Sequence, residues 1–440
     1  MSVRRFKAYP AYKDSGVEWL GDIPAHWMVF RSKRLFRLRN KKATPEDAQL
    51  TASQQYGVIP QAEFMATEGR RVVQVVTGAD ILKHVAANDF VISMRSFQGG
   101  IELSRHSGAI SSAYVVLVPS REVWHPYFVH LLKSKRYIQA LQSTSDLVRD
   151  GQALRFENFT QVPLPSVPLV EQGAIAVFLG RETARIDELM AKKQRLIELL
   201  REQRTALITR AVTKGLDPSV RTKGSGVEGL GAVPAHWEAT RLKFILEAPL
   251  KYGANEAAEL NDPDLPRYVR ITDIDESDRL RLETFKSLPV EVAEEYILRE
   301  GDLLFARSGA TAGKTFLYRE SWGVCAYAGY LIRARLDLGR AFPEFVRYFT
   351  ASSSYWQWLS AAFIQATIQN VSAEKYASLV VPQPPLGEQR AIASFLDLET
   401  TRIDALIAKV REAIDRLKEL RTALISAAVT GKIDVRDETA

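Results

Sequence analysis

The chain has 440 residues, too many for one ordinary domain, and length alone divides it into two to four units. Its 46% apolar and 25% charged residues are those of soluble globular proteins, and no uncharged run is long enough to cross a bilayer. A net charge of +7 favours an anionic partner such as nucleic acid, and the lone Cys325 excludes an intrachain disulfide framework and a cysteine-based zinc site. No apolar secretion segment follows Met-Ser-Val-Arg-Arg-Phe-Lys, so a reducing compartment, the cytoplasm, is the expected location.

In chain order, Ser15-Gly16-Val17-Glu18, Leu20-Gly21 and Pro24-Ala25-His26-Trp27 come first. Strand-like runs follow at Arg71 to Val76, Phe90 to Met94 and Ala113 to Val118, and then a helical run from Pro126, a residue suited to a first helical turn. From Ile175, apolar residues recur at steps of four and three through Leu179, Ile186, Leu189, Leu196, Leu200 and Leu207, the a/d seam of a coiled coil. Glu182, Lys193 and Gln203 break the seam. After a short linker, Ser225-Gly226-Val227-Glu228, Leu230-Gly231 and Pro234-Ala235-His236-Trp237 repeat the opening. Strand-like runs return at Tyr268 to Ile274, Asp302 to Ala306 and Tyr327 to Arg333, and a helical run returns at Pro343. A second seam follows at Ile392, Leu396, Ile403, Leu406, Val410, Ala413, Leu417, Leu420 and Leu424, with Glu399 repeating the first polar break.

The chain is therefore written twice. Pro168 to Asp217 aligns without gaps on Pro385 to Asp434 with 29 of 50 positions identical. The segments between have diverged, as expected of one scaffold carrying two different readers. Boundaries fall at 1–165 for a first globular domain, 166–217 for a first long helix, 218–382 for a second globular domain and 383–434 for a second long helix. A compact domain returns its chain near where it entered, so the end of the first helix and the start of the second lie together and the helices run antiparallel. The expected fold class is α+β, with two α+β domains separated by long antiparallel coiled-coil helices in a pseudo-twofold repeat.

Tyr56-Gly57-Val58-Ile59-Pro60, Met94-Arg95-Ser96-Phe97-Gln98-Gly99-Gly100, Tyr268-Val269-Arg270-Ile271-Thr272-Asp273-Ile274 and Thr367-Ile368-Gln369-Asn370-Val371-Ser372 resemble segments of Type I target recognition domains. Pro385-Leu386-Gly387-Glu388-Gln389-Arg390-Ala391-Ile392-Ala393 resembles the start of that family's conserved helices. With the duplicated layout, nearly the whole chain resembles the specificity subunit of a Type I restriction-modification enzyme. The resemblance implies that each domain reads one half of a bipartite double-stranded DNA target while the helices set the spacing. It further implies that two methyltransferase subunits dock and methylate adenine with S-adenosylmethionine, and that motor-nuclease subunits using ATP and Mg complete the complex. The chain itself then needs no cofactor and no metal.

Base readers must be long polar side chains on loops that reach a groove edge. Arg95, Ser96 and Gln98 follow a strand beside Gly99-Gly100, and Arg307, Ser308, Thr311 and Lys314 occupy the equivalent stretch of the second half. Tyr56, Lys251, Tyr252, Arg270 and Thr272 are further candidates. Arg95 and Arg307 are common to both halves, so scaffold or phosphate contact is their first reading. The helices are expected to meet through Ile186, Leu189, Leu200, Leu207, Ile403, Leu406, Leu417 and Leu424.

Catalytic motifs fail on inspection. Gly309-Ala310-Thr311-Ala312-Gly313-Lys314-Thr315 has three residues between its glycines where a phosphate loop needs four. Gln383-Pro384-Pro385-Leu386 lacks both the Asp or Asn at its start and the aromatic at its end that an amino-methyltransferase turn carries. Asp262-Pro263-Asp264 with Glu283 and Lys286 has one residue too many for a nuclease cluster. His26 and His236, beside Trp27 and Trp237, read as packing. A coiled-coil adaptor without DNA specificity explains the helices but not two strand-rich domains with Arg/Gln/Gly loops.

Overall fold

Successive residues of a strand point to opposite faces, yet Phe90, Val91 and Ile92 are all buried, so both faces of this strand are covered. The computed structural model, which describes residues 6–69, 81–94, 96–144, 154–275, 279–364 and 370–439, shows what covers them. The chain forms two compact units, Met1–Lys193 with Glu412–Ala440, and Gln194–Arg411.

In the first unit a four-stranded antiparallel sheet has the order Phe36–Arg39, Val115–Pro119, Phe90–Ile92, Glu102–Leu103. Leu117 pairs with Leu38 on one side and Phe90 on the other. Phe90 and Ile92 face a core with Phe36, Phe128, Leu131 and the long helices. Val91 and Val116 face a smaller core with Leu50, Val58, Val85 and Ile110. The helix His125–Leu132 carries Pro126 in its first turn, where a missing N–H costs nothing. The run Arg71 to Val76 lies outside the described residues.

The second unit repeats the plan with Leu246–Tyr252, Leu331–Leu336, Leu303–Ala306 and Thr315–Leu317. Leu303 and Phe305 face the helix-bearing core, while Leu304 and Ala306 face a second core with Val269, Cys325 and Tyr327. Helix Pro343–Thr350 follows. Two expected strands are cut short. The run from Tyr268 ends at Val269, because Asp273 captures both the backbone N–H and the guanidinium of Arg270 and draws Ile271–Asp273 into a 3-10 turn. The run from Tyr327 divides into Cys325–Tyr327, which pairs in parallel with Arg267–Val269, and Leu331–Leu336, with a turn between them. Gly253 has no alternative here, since a Cβ would collide with the carbonyls of Tyr327 and Ala328.

The long helices are Leu169–Lys214 and Leu386–Val429. In the first unit Ile175, Phe178, Leu179 and Ile186 share a core with Leu424, Ala428 and Val429; in the second, Ile208, Ala211 and Val212 share one with Ile392, Ala393 and Leu396. Asp187 pairs with Arg421 and Arg204 with Asp404. As one helix is followed forward its partners run backward, so the helices are antiparallel. Ile186, Ile403 and Leu424 are buried, and Leu189, Leu200, Leu207 and Leu417 are half-buried.

Leu406 is not in the seam: it is 49% exposed, and Leu196 and Leu420 are exposed as well. Ile197 and Ile407, one position on, are buried instead. The stripe also contains Thr183 and Thr400, which pattern reading passed over because they are polar. Each hydroxyl donates to the carbonyl four residues back, Leu179 and Leu396, and so can be buried without an unmet donor. Among the described residues no helix is long and apolar enough to cross a membrane.

Candidate nucleic-acid interface

Each half ties its entry segment to the start of a long helix. Glu171 in the first turn accepts from Trp27 Nε1 at 3.0 Å and meets His26 Nε2 at 2.8 Å; Tyr9 Oη donates to it at 2.5 Å. Glu388 does the same for Trp237 Nε1 at 3.0 Å and His236 Nε2 at 2.9 Å. A carboxylate at a helix N-terminus also complements the helix dipole. The next residue ties down the connection after the sheet. Gln172 accepts from Trp124 N and donates to Glu122 O and Val167 O, and Gln389 accepts from Phe342 N and donates to Arg340 O and Pro384 O. The Glu-Gln dipeptide shared by both halves is thus a structural clamp, and the two histidines belong to it.

In the first unit the turn Ser96–Gly99 follows strand Phe90–Ile92. Ser96 is 1% exposed and its hydroxyl accepts from Ser93 N at 2.8 Å. It caps the turn and cannot reach a groove, which corrects its assignment as a reader. Gln98 is exposed, and Arg95 lies outside the described residues. Gly99 packs on the side chain of Gln54, which brings the hairpin carrying Tyr56 against the Gln98 turn. Tyr56 is partly exposed, and its hydroxyl donates to Glu68 at 3.0 Å, which raises its pKa. Beneath them Lys133 Nζ contacts the buried Glu102 carboxylate at 2.5 Å and the Gln54 carbonyl at 3.2 Å. Burial pushes the Glu102 carboxyl up to about 7, against the opposing pull of Lys133.

In the second unit the strand Leu303–Ala306 delivers Arg307, whose N–H donates to Tyr330 O at 3.0 Å and whose carbonyl accepts from Val371 N at 2.9 Å. The Arg307 guanidinium carbon sits 4.8 Å from the centroid of the Tyr252 ring, and its Nε donates to Asn370 Oδ1 at 3.3 Å. Tyr252 is itself fixed, its hydroxyl accepting from Ala373 N at 2.9 Å. The turn Gly309–Thr311 leads to the exposed Lys314, whose carbonyl accepts from Ala306 N. Ser308 bridges to Asn370, and Thr311 is half-buried. One loop surface therefore gathers Arg307, Tyr252, Asn370 and Tyr330, which is 65% exposed. Tyr330 was missed by pattern reading because it was placed inside a strand.

The remaining candidates stand elsewhere in the unit. Lys251 Nζ is neutralised by Glu295 at 2.7 Å and faces the Tyr296 ring. Arg270 is gripped by Asp273 and Thr284 O, and the exposed Thr272 makes a 3.5 Å contact with Asp273. Both cations have their charge met internally, which makes them braces of the loop. Among the described residues no group of three His, Cys, Asp or Glu side chains comes together as a metal site would require.

Residues 234–416 match the model of the Type I restriction modification DNA specificity domain. The chain is 23% identical over 326 residues to the Type I restriction enzyme StySPI specificity subunit of Salmonella potsdam, covering 72% of this chain and 67% of that one. It is 24% identical over 317 residues to the EcoBI specificity subunit of Escherichia coli, covering 70% of this chain and 65% of that one. The match thus spans about two thirds of each relative's length. The fold is shared, at TM-score 0.70 and 16% identity over 92% of this chain and 98% of the other, with a solved chain described under complex assembly and conformational transition of the type I R-M system. The chain is thus similar over most of its length to specificity subunits of Type I restriction enzymes, and its residues 234–416 match their DNA specificity domain.

Proposed function

We propose that this chain selects a bipartite double-stranded DNA target, the first recognition region reading one half-site and the second the other. The observation that carries the reading is one strand and turn used twice with different side chains: Gln98 follows the first strand, and Thr311 and Lys314 follow its counterpart. A common scaffold with divergent loops is what two readers of different sequences require. Two methyltransferase subunits dock on the long helices, where Leu196, Leu199, Leu398 and Leu406 leave apolar surface exposed, and motor-nuclease subunits complete the complex. S-adenosylmethionine, ATP and Mg belong to those partners, and the complex works in the cytoplasm. The helices fix the spacer between half-sites.

The test replaces residues 240 to 379 with the corresponding segment of a relative and maps methylated adenines. One half-site changes and the other persists, because base contacts are local to a groove segment. A map in which both change sinks the two-reader assignment, and an assembled complex without DNA affinity returns the chain to the adaptor reading.

A further inference from the structure

The two recognition regions differ sharply in charge. Residues 1–165 hold 22 Lys and Arg against 14 Asp and Glu, a balance of +8, whereas residues 218–382 hold 19 against 21, a balance of −2. Most of the excess sits in one stretch. Positions 31–42 contain seven cations, Arg31, Lys33, Arg34, Arg37, Arg39, Lys41 and Lys42, and no acid. The equivalent positions 241–252 contain Arg241, Lys243 and Lys251 with Glu247.

The fold pins this stretch and turns its charge outward. Ser32, Leu35 and Phe36 are buried at 0–2% exposure, and Phe36 packs edge-on against Phe90, Phe128 and Phe159. Around these anchors Arg31, Lys33, Arg34, Arg37, Lys41 and Lys42 are all exposed. Arg39 is the exception, since its guanidinium is held by Asp89 and braces the sheet. Among the described residues none of the other six makes an ion pair. Arg34 lies 3.7 Å over the Phe30 ring, a contact that orients a guanidinium without neutralising it.

Strand Phe36–Arg39 is a sheet edge, and charge on an edge also guards against aggregation. That role does not require six cations. Among the described residues, the equivalent positions 241–252 leave only the cations Arg241 and Lys243 exposed and without an ion pair, since Lys251 is neutralised by Glu295. Six exposed and unneutralised cations within twelve residues of a DNA reader suit the phosphate charge of duplex DNA, which is sequence-independent and salt-sensitive. We infer that Arg31, Lys33, Arg34, Arg37, Lys41 and Lys42 form a phosphate-backbone site on the first recognition region, and that the second region, which keeps only Arg241 and Lys243 of it, lacks such a site. The inference rests on the DNA-specificity reading. It assigns electrostatic capture of the duplex to the first half-site.

The test uses the chain assembled with its methyltransferase subunits. Three pair variants, Arg31→Gln with Lys33→Gln, Arg34→Gln with Arg37→Gln, and Lys41→Gln with Lys42→Gln, are compared with the sixfold variant and with Arg241→Gln plus Lys243→Gln. Affinity for a fluorescent duplex carrying the methylated sequence is measured between about 50 and 200 mM salt. Each lost phosphate contact lowers the slope of log affinity against log salt by about 0.9, so each first-region pair lowers it by about 1–2 and the sixfold variant by about 3–5. The affinity of the sixfold variant at ~0.1 M salt falls at least about tenfold while the recognised bases stay the same. The pairs keep the test decisive if the sixfold variant fails to fold. Unchanged slopes overturn the proposal, and so does lost subunit assembly with an unchanged slope, which would place a protein partner on the strip. A fall for Arg241/Lys243 as large as for any first-region pair overturns the asymmetry. A wild-type complex with no preference among duplexes defeats the underlying specificity reading instead.

Discussion

Asp187 Oδ1 accepts from Arg421 Nε at 2.9 Å, joining the two long helices, and Asp404 accepts from Arg204 at 3.1 Å. These are one interaction made twice, because Asp187 aligns with Asp404 and Arg204 with Arg421 in the internal repeat. Both pairs are partly exposed, so each contributes only ~0.2–1 kcal/mol. Their larger effect is on register, since sliding either helix by one residue separates both pairs. Asp187→Arg is expected to destabilise the chain by about 1 kcal/mol through like-charge contact, and adding Arg421→Asp to restore most of it. Urea denaturation of the full chain measures both. A double variant no better than the single one removes the pair from the helix contact.

The burial pattern sets a second contrast between two leucines of one helix. Leu424 is 7% exposed within the first unit's core, whereas Leu406 is 49% exposed. Leu424→Ala is expected to cost ~2–4 kcal/mol, and Leu406→Ala less than ~1 kcal/mol of stability. Leu406→Ala should instead weaken methyltransferase assembly if the exposed leucines receive that subunit. Equal losses of stability at both positions would contradict the register described above.

What the sequence makes legible follows from the physics of each element. The helices are readable because their stripe repeats over 40-odd residues and is duplicated, but leucines outvoted threonines in placing the seam. Leu406 was taken for Ile407, and Thr400 was passed over, since pattern reading scores apolarity and cannot see a hydroxyl satisfied by its own helix. Short strands such as Phe90–Ile92 are readable from their apolar runs. The end of the strand at Val269 is not, because it depends on Asp273 folding back on Arg270. Ser96 looks like a reader in sequence because it follows an arginine on a loop; its burial as a turn cap is set by Ser93 N, a partner visible only in three dimensions. Conversely, the strip 31–42 needs no tertiary information to find, only a comparison of charge between the two halves.

Glu102 supplies a pH-dependent term. In the folded chain burial raises its carboxyl from 4.5 to about 7, so the unfolded chain gives up this proton first as pH rises. The contribution to stability is complete below pH 4.5 and is lost as pH climbs through about 7. Glu102→Gln keeps the shape without the titration, and Lys133 retains its contact with the Gln54 carbonyl. The variant should match wild type near pH 4.5 and exceed it by about 1–3 kcal/mol at pH 8. Denaturation at both pH values reads this out. A variant weaker than wild type at pH 8 would mean that the ion pair with Lys133 outweighs burial.

The last contrast separates a shared residue from a divergent one on the same loop surface. Arg307 has a partner in sequence, Arg95, and its side chain is oriented by the Tyr252 ring and Asn370. Two domains that read different bases cannot draw their difference from a residue they share, so Arg307 is expected to hold phosphate. Arg307→Gln should weaken binding to all duplexes alike and lower the salt slope by about 1, while Arg307→Lys, which keeps the charge, stays near wild type. No lysine stands in the corresponding turn of the first half, Ser96 to Ile101, whereas Lys314 stands exposed on the loop that changed. An ammonium at a groove edge donates to guanine O6 or N7, and a good base contact is worth ~1–3 kcal/mol of discrimination. Lys314→Gln should therefore relax the preference at one base pair of the second half-site by about 5- to 100-fold. It should leave the first half-site untouched. Binding selection on duplexes randomised at the second half-site, followed by sequencing, measures both variants together. If Arg307→Lys altered a single base position while Lys314→Gln acted uniformly, the two roles would be exchanged.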